Sequence, residues 1–151
     1  MVSQDELKLI VRDAVQTLYA ENLEILQLDV AERTICAQLA RILQRSFDHH
    51  SVHTEYNRHG VEPKEVELPN SDGVLARVRV YPDIIIHQPK HDRENVLVIE
   101  VKKTTNPIGD DADLAKLTQI KRQIDYSCAL FLRLPTGQNA NAGEIREVWL
   151  D

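Results

Sequence analysis

The stretch "NVLVIEVKKT", residues 95–104, joins an apolar run to a charged end. An apolar run of this length predicts a strand that is buried on both faces of a sheet. Successive side chains of a strand point to opposite faces, so Glu100 and Lys102 share one face and Val101 lies on the other. The stretch therefore predicts an acid and a base held side by side by a rigid strand.

A second carboxylate, Asp83, follows Pro82 at the start of the apolar segment "DIIIHQ". The turn-rich segment "PKHDREN", residues 89–95, separates this segment from the next strand. A hairpin folded about the middle of that turn brings Asp83 close to Glu100. The two strands therefore predict a pair of neighbouring carboxylates with a lysine beside them.

Two carboxylates packed closely resist ionisation unless a positive group lies between them. Mg²⁺ suits that position, because it takes oxygen ligands from one or two carboxylates and keeps several waters. Lys102 would lie beside the ion, where it could orient or deprotonate an attacking water. Asp83, Glu100 and Lys102 thus indicate metal-assisted hydrolysis of a phosphodiester bond.

The periodicity of the rest of the chain predicts one α/β domain with the element order α-α-β-β-β-α-β-β. Capping boxes, S-x-x-E at Ser3 and D-x-x-E at Asp29, open the first two helices. The predicted helices run from Ser3 to about Asn22, from Asp29 to about Phe47, and from about Asp111 to Asp125. The predicted strands are 51–57, 74–81 resuming at 83–88 after Pro82, 96–103, 127–134 and 144–150.

Composition limits the class of protein. The chain has 151 residues and a net charge of −6, which argues against a passive nucleic-acid coat with a basic surface. The negative net charge does not exclude an enzyme that binds phosphates through a metal ion held by carboxylates. No apolar run has the length of a membrane span and no secretory signal is visible, so we expect a cytoplasmic protein without membrane contact. The six histidines are expected at surface or edge positions.

The motif "YPD" at 81–83 and the motif "EVK" at 100–102 resemble the PD-(D/E)XK nuclease superfamily. Restriction endonucleases, phage exonucleases and Holliday-junction resolvases belong to it. The chain is also similar to small stand-alone bacterial members in "TEYNR" (54–58), "RVYPDIIIH" (79–87), "LVIEVKK" (97–103) and "ALFL" (129–132). The resemblance implies a restriction endonuclease-like three-layer core, a mixed β-sheet flanked by helices in αβββαβ order. This core would span residues 29–135, with 1–28 as an N-terminal helical extension and 136–151 as a C-terminal strand.

The resemblance implies a nuclease that depends on Mg²⁺ or Mn²⁺ and acts on nucleic acid, with DNA ahead of RNA. In it, Asp83, Glu100 and the Val101 carbonyl bind the metal and Lys102 positions the water. Glu32 matches by position a further acid that many members carry on the helix before the first strand. As the third residue after Asp29, Glu32 also fits a capping-box glutamate. Both interpretations stay open.

Three basic residues are candidates for substrate binding. Arg58 fits either a solvated strand end or a phosphate contact, and Lys103, which points away from Lys102, fits a surface charge or a phosphate contact. Lys116 lies on the helix after the EVK motif together with Asp113, and both could reach the site. Glu55 fits a solvated strand face or a residue that supports the metal.

Two other functions are compatible with the sequence. A nuclease-fold binding or structural module without hydrolysis of its own would fit the acidic net charge and would act with a partner. A metal-dependent phosphatase or nucleotide hydrolase has less support, because the chain contains no Gly-rich phosphate loop. The strand 144–150 could form the edge of a homodimer, with Trp149 as an interface anchor.

Overall fold

The computed structural model describes residues 2–58, 62–90 and 93–150, which form three α-helices and seven strands. The helices are α1 (Gln4–Gln27), α2 (Glu32–Gln44) and α3 (Asp111–Ile124). The strands are β1 (Ser51–Thr54), β2 (Glu65–Pro69), β3 (Leu75–Arg79), β4 (Ile84–His87), β5 (Leu97–Lys103), β6 (Cys128–Leu134) and β7 (Arg146–Leu150).

Five strands form a mixed sheet in the order β1-β4-β5-β6-β7. Strands β5 and β6 are parallel, and the other neighbours are antiparallel. The crossover between β5 and β6 contains α3, as a parallel pair requires. The predicted α/β class with a mixed sheet is confirmed. The central position of β5 explains its apolar sequence, since both of its faces are covered.

Two apolar layers cover the sheet. Helices α1 and α2 pack on one face, against side chains that include Ile84, Ile99 and Leu130. Helix α3 and the β2–β3 hairpin pack on the other face, against side chains that include Ile85 and Val98. The charged residues Glu100 and Lys102 belong to this second face, because they alternate in step with Val98.

The prediction of one strand that resumes after Pro82 is wrong, because this part of the chain forms two strands, β3 and β4, in different sheets. Strand β3 pairs with β2 in a separate two-stranded sheet, whereas β4 lies between β1 and β5. Proline has no N–H to donate to a ladder, and the chain changes sheets at this position. Val74 and Val78 are consequently 61% and 41% exposed, although their alternation resembles that of a half-buried strand.

Helix α1 begins as predicted, since the Ser3 side chain accepts a hydrogen bond from the Glu6 N–H and Glu6 accepts one from the Ser3 N–H. It continues past the predicted end at Asn22 to Gln27, and Asn22 itself has non-helical φ and ψ of −129° and 27°. A kink at one residue therefore replaces the expected end of the helix.

Candidate functional site

The β4–β5 register places the first two carboxylates. Ile84 pairs with Ile99, so the next step of the same register puts Asp83 opposite Glu100. The Val101 N–H donates a 2.8 Å hydrogen bond to Asp83 Oδ2, which ties the carboxylate to β5. The structure thus brings Asp83, Glu100 and Val101 together at the end of the hairpin. Val101 makes this contact through its N–H, and the role of the Val101 carbonyl as a metal ligand stays a prediction.

Glu100 is a buried acid with an unsatisfied oxygen. It is 6% exposed, and its Oε1 atom has no hydrogen-bond donor among the residues that the structure describes. Burial, followed by the negative charge of Asp83, raises the pKa of Glu100 to about 8. Burial also raises the pKa of Asp83, against the hydrogen bond from Val101, which favours the ionised form. The pair therefore contains one carboxylate oxygen, Glu100 Oε1, without a hydrogen-bond donor among the described residues.

Helix α3 supplies the nearest countercharges through two crossed ion pairs with β5. Lys116 Nζ lies 3.6 Å from Glu100 Oε1, and Lys102 Nζ contacts Asp113 Oδ2. Lys102 Nζ also donates a 3.0 Å hydrogen bond to the Gly109 carbonyl. The acid of β5 is thus paired with a base of α3, and the base of β5 with an acid of α3. We call Asp83, Glu100, Lys102, Asp113 and Lys116 the carboxylate end.

Glu32 approaches from the opposite face of the sheet. The predicted capping box at Asp29 is wrong, because α2 has Ala31 as its N-cap and no side chain among the described residues caps it. Glu32 Oε1 accepts instead from the Lys103 N–H at 3.2 Å and from Asn106 Nδ2 at 3.1 Å. The Glu32 carboxylate therefore links the start of α2 to the end of β5.

A cleft of about 190 Å³ joins Glu32 to Asp83. Its other lining residues are Arg33, Cys36, Thr54 and Glu55. Burial and then the charges of Asp83, Glu100, Glu32 and Glu55 raise the pKa of the Cys36 thiol. Arg33 and Cys36 were not predicted as site residues, and their positions one and four residues after Glu32 on the same helix are the one signal that could have identified them.

Glu55 lies in this cleft because of an unusual backbone conformation. Its φ is 51°, in the left-handed region, and its N–H donates a 2.9 Å hydrogen bond to the Pro82 carbonyl. This contact fixes the end of β1 beside the residue that precedes Asp83. The Glu55 side chain forms a 3.4 Å, largely exposed ion pair with Arg33.

Two predicted substrate contacts lie apart from the carboxylate end. Lys103 Nζ pairs with Asp29 Oδ1 at 3.1 Å on the α1–α2 face, opposite to Lys102, as strand alternation predicts. Arg58 is exposed, and its guanidinium donates to the Asn57 carbonyl at 2.7 Å. Of the three basic candidates, Lys116 is the one whose side chain contacts Glu100, among the residues that the structure describes.

The opposite end of the β4–β5 hairpin contains a second polar cluster, which the sequence did not indicate. Lys64 is 1% exposed, donates a 2.8 Å hydrogen bond to Tyr126 Oη, and lies 5.5 Å from the Tyr56 ring centroid and 5.3 Å from that of Tyr126. His53 stacks on Tyr56 with ring centroids 5.0 Å apart, and its Nδ1 lies 2.8 Å from His87 Nε2. We call His53, Tyr56, Lys64, His87 and Tyr126 the aromatic end.

The histidines only partly follow their predicted placement. His53 lies on the edge strand β1, as expected, and burial lowers its pKa. The surface or edge position predicted for His87 is wrong, because this residue is 3% exposed between β1 and β5. His59 and His91 lie outside the described residues.

The predicted interface anchor, Trp149, is half-buried rather than exposed. It packs against the core beneath α1, and Lys8 Nζ lies 5.9 Å from its ring centroid. β7 is nevertheless an edge of the sheet. The expected homodimer contact stays a prediction.

The chemistry of the donors fits a hard cation held by few protein ligands. Within residues 2–58, 62–90 and 93–150, no three His, Cys, Asp or Glu side chains are grouped closely enough to hold a metal ion. Asp83 and Glu100 offer two carboxylates, and Mg²⁺ or Mn²⁺ bound to two carboxylates keeps most of its waters. Such a cation would also satisfy the buried Glu100 Oε1.

Comparisons with known proteins add little to this description. No protein-family model matches the chain, and no curated protein matches it significantly. The chain is similar to a solved structure described as "Crystal structure of SSO0001", at 16% identity and a TM-score of 0.38. The match covers 93% of this chain and spans 65% of that chain. In the part of the chain that the structure describes, no helix is long and apolar enough to cross a membrane.

Proposed function

We propose that the chain is a metal-dependent nuclease of the PD-(D/E)XK type, which hydrolyses phosphodiester bonds of nucleic acid, DNA ahead of RNA. The observation that carries the proposal is the pairing of Asp83 with Glu100, with Lys102 on the same face of β5. A buried acid next to a half-buried one, both with raised pKa values, is an arrangement that occurs often at functional sites. The αβββαβ order α2-β1-β4-β5-α3-β6, with the β2–β3 hairpin inserted, is compatible with a restriction endonuclease-like core.

In this proposal Asp83, Glu100 and the Val101 carbonyl hold Mg²⁺ or Mn²⁺, which supplies Lewis-acid stabilisation of charge on the phosphate. Lys102 holds the attacking water once its ammonium leaves Asp113. Glu32, across the cleft, would either orient the nucleophile or hold a second metal. Arg58, Lys103 and Lys116 contact phosphates, and Lys103 does so only if its ion pair with Asp29 opens.

A cleavage panel tests the proposal. Single-stranded, duplex and branched DNA and RNA are incubated with Mg²⁺ or Mn²⁺ and the wild-type protein, Asp83→Ala, Lys102→Ala or the control Lys121→Ala. Lys121 is a lysine in the last turn of α3, away from the carboxylate end. We expect both site variants to lose about 10²-fold or more in rate, with the circular dichroism spectrum unchanged. Wild-type protein inert on the whole panel would contradict the proposal.

One observation favours a second function, a nuclease-fold binding module that is catalytically silent. Lys102 is held by both Asp113 and the Gly109 carbonyl, which removes the ammonium from the carboxylate pair. Calorimetric titration with Mn²⁺ separates the two functions. Binding that is lost in Asp83→Ala and Glu100→Ala supports the nuclease, whereas its absence in the wild type supports the silent module.

A further inference from the structure

We infer that Lys116 is a built-in competitor for the cation of the proposed function: its ammonium neutralises Glu100, and a divalent cation has to displace it to bind. The inference depends on the cation site of the proposed nuclease. It assigns to Lys116 a role in setting cation affinity that is separate from any contact with a phosphate.

The contact between Lys116 and Glu100 has the geometry of a countercharge without a hydrogen bond. Their closest atoms, Nζ and Oε1, are 3.6 Å apart, which is longer than an N–H···O bond. Oε1 is the atom that lacks a donor among the described residues. The ammonium therefore stabilises the charge of Glu100 and leaves the oxygen available as a metal ligand.

A cation bound to Oε1 and the ammonium of Lys116 would repel each other at this separation. The charges also favour replacement of the Lys116 ammonium by the divalent cation. When Asp83 and Glu100 are both ionised, they carry two negative charges, of which one ammonium balances half and one divalent cation balances all. Exchange therefore removes the remaining excess of negative charge from a buried position.

Lys102 is not the competitor, although it belongs to the EVK motif. Its ammonium has its own countercharge in Asp113 and a hydrogen bond to the Gly109 carbonyl. Lys116 can also leave more easily, since its side chain is 34% exposed and that of Lys102 is 9% exposed. Rotation of the Lys116 side chain toward solvent would vacate Oε1 without movement of α3.

The test is a calorimetric titration of Mn²⁺ into the full chain as wild type, Lys116→Met, Lys116→Gln, Lys116→Arg and the matched control Lys121→Met. We expect the Met and Gln variants to bind Mn²⁺ about two- to fivefold more tightly than the wild type, the factor typical of a partly exposed ion pair. Lys116→Arg, which keeps the charge, and Lys121→Met should bind as the wild type does.

Thermal unfolding provides a second readout. Without added cation, Lys116→Met should unfold at a lower temperature than Lys121→Met, and added Mn²⁺ should reverse the order. Equal or weaker Mn²⁺ binding by both Lys116→Met and Lys116→Gln, with binding intact in the wild type, overturns this inference alone. Binding by neither the wild type nor these variants overturns the proposed function with it.

Discussion

The carboxylate end and the aromatic end each bury a lysine, but they surround it with different chemistry. Lys102 is 7% exposed and is balanced by a carboxylate of α3, whereas Lys64 is 1% exposed and lies against two tyrosine rings and a hydroxyl. Asp83 and His87 are separated by four residue steps through β4, roughly 13 Å along the strand. The same face of the main sheet is thus flanked by two buried lysines in unlike surroundings.

The two clusters differ in the acidic groups that surround the lysine. The carboxylate end has two neighbouring acids of raised pKa and an oxygen without a donor among the described residues. In the aromatic end, two tyrosine ring faces and the phenol oxygen of Tyr126 contact the Lys64 Nζ. We therefore expect substitutions at the carboxylate end to change function, and substitutions at the aromatic end to change stability.

The largest effect should come from Lys64→Ala. The substitution removes a buried four-carbon side chain and the donor to Tyr126 Oη, so we expect the free energy of unfolding to fall by about 2–4 kcal/mol. Lys102→Ala should lose about 1 kcal/mol, because its partner Asp113 is 27% exposed and can be solvated. Urea denaturation of both variants measures the difference.

Cleavage assays complete this comparison. Lys64→Ala should retain the wild-type rate at temperatures where it is folded, and Lys102→Ala should not. A folded Lys64→Ala variant without activity would show that the two ends share one function.

A separate effect is the dependence of stability on pH. The pKa of Glu100 is raised from 4.5 to about 8 in the folded protein, so between these values the folded state holds a proton that the unfolded chain has released. Stability therefore falls as the pH rises from about 4.5 to about 8, and levels off above that range. Asp83, whose pKa is also raised, contributes with the same sign.

Thermal unfolding measured across this range, without divalent cations, should show the decline in the wild type and a flatter profile in Glu100→Gln. The amide keeps the shape of the side chain and removes its titration. Identical profiles for the two proteins would mean that Glu100 is not the group that titrates.

The smallest effect on stability is expected for Asp113→Asn. The variant releases Lys102 from a partly exposed ion pair, so the free energy of unfolding should change by about 0.5 kcal/mol or less. Cleavage should be as fast as in the wild type or faster, because Lys102 is then free to reach the water. Asp111→Asn, an exposed residue of the same helical turn, is the control. A loss of more than about tenfold in rate would place Asp113 in the catalytic machinery.

Local patterns predicted the part of the site that strands determine. The apolar run of β5 and the turn after β4 were sufficient to place Asp83 beside Glu100, because a short turn fixes the register of a hairpin. The bounds of α3 also followed from its apolar spacing. The crossed ion pairs did not, because they depend on how α3 is rotated against β5.

The aromatic end was missed for a similar reason. Lys64 belongs to the charged, turn-rich segment between the predicted strands 51–57 and 74–81, and its burial involves Tyr126, which lies 62 residues further along the chain. Alternation likewise suggested a buried face for Val74 and Val78, but β3 pairs outside the main sheet. Periodicity identifies strands and does not say which sheet they join.

The β4–β5 hairpin also reduces the chain entropy that is lost when the site forms. Glu100 follows Asp83 by 17 residues, whereas Glu32 precedes Asp83 by 51. Closing a loop three times as long costs about 1 kcal/mol more, since the cost grows with the logarithm of length. Neighbouring segments therefore bring Asp83 and Glu100 together at a small cost in chain entropy. The position of Glu32 depends on the helical layer that packs across the sheet.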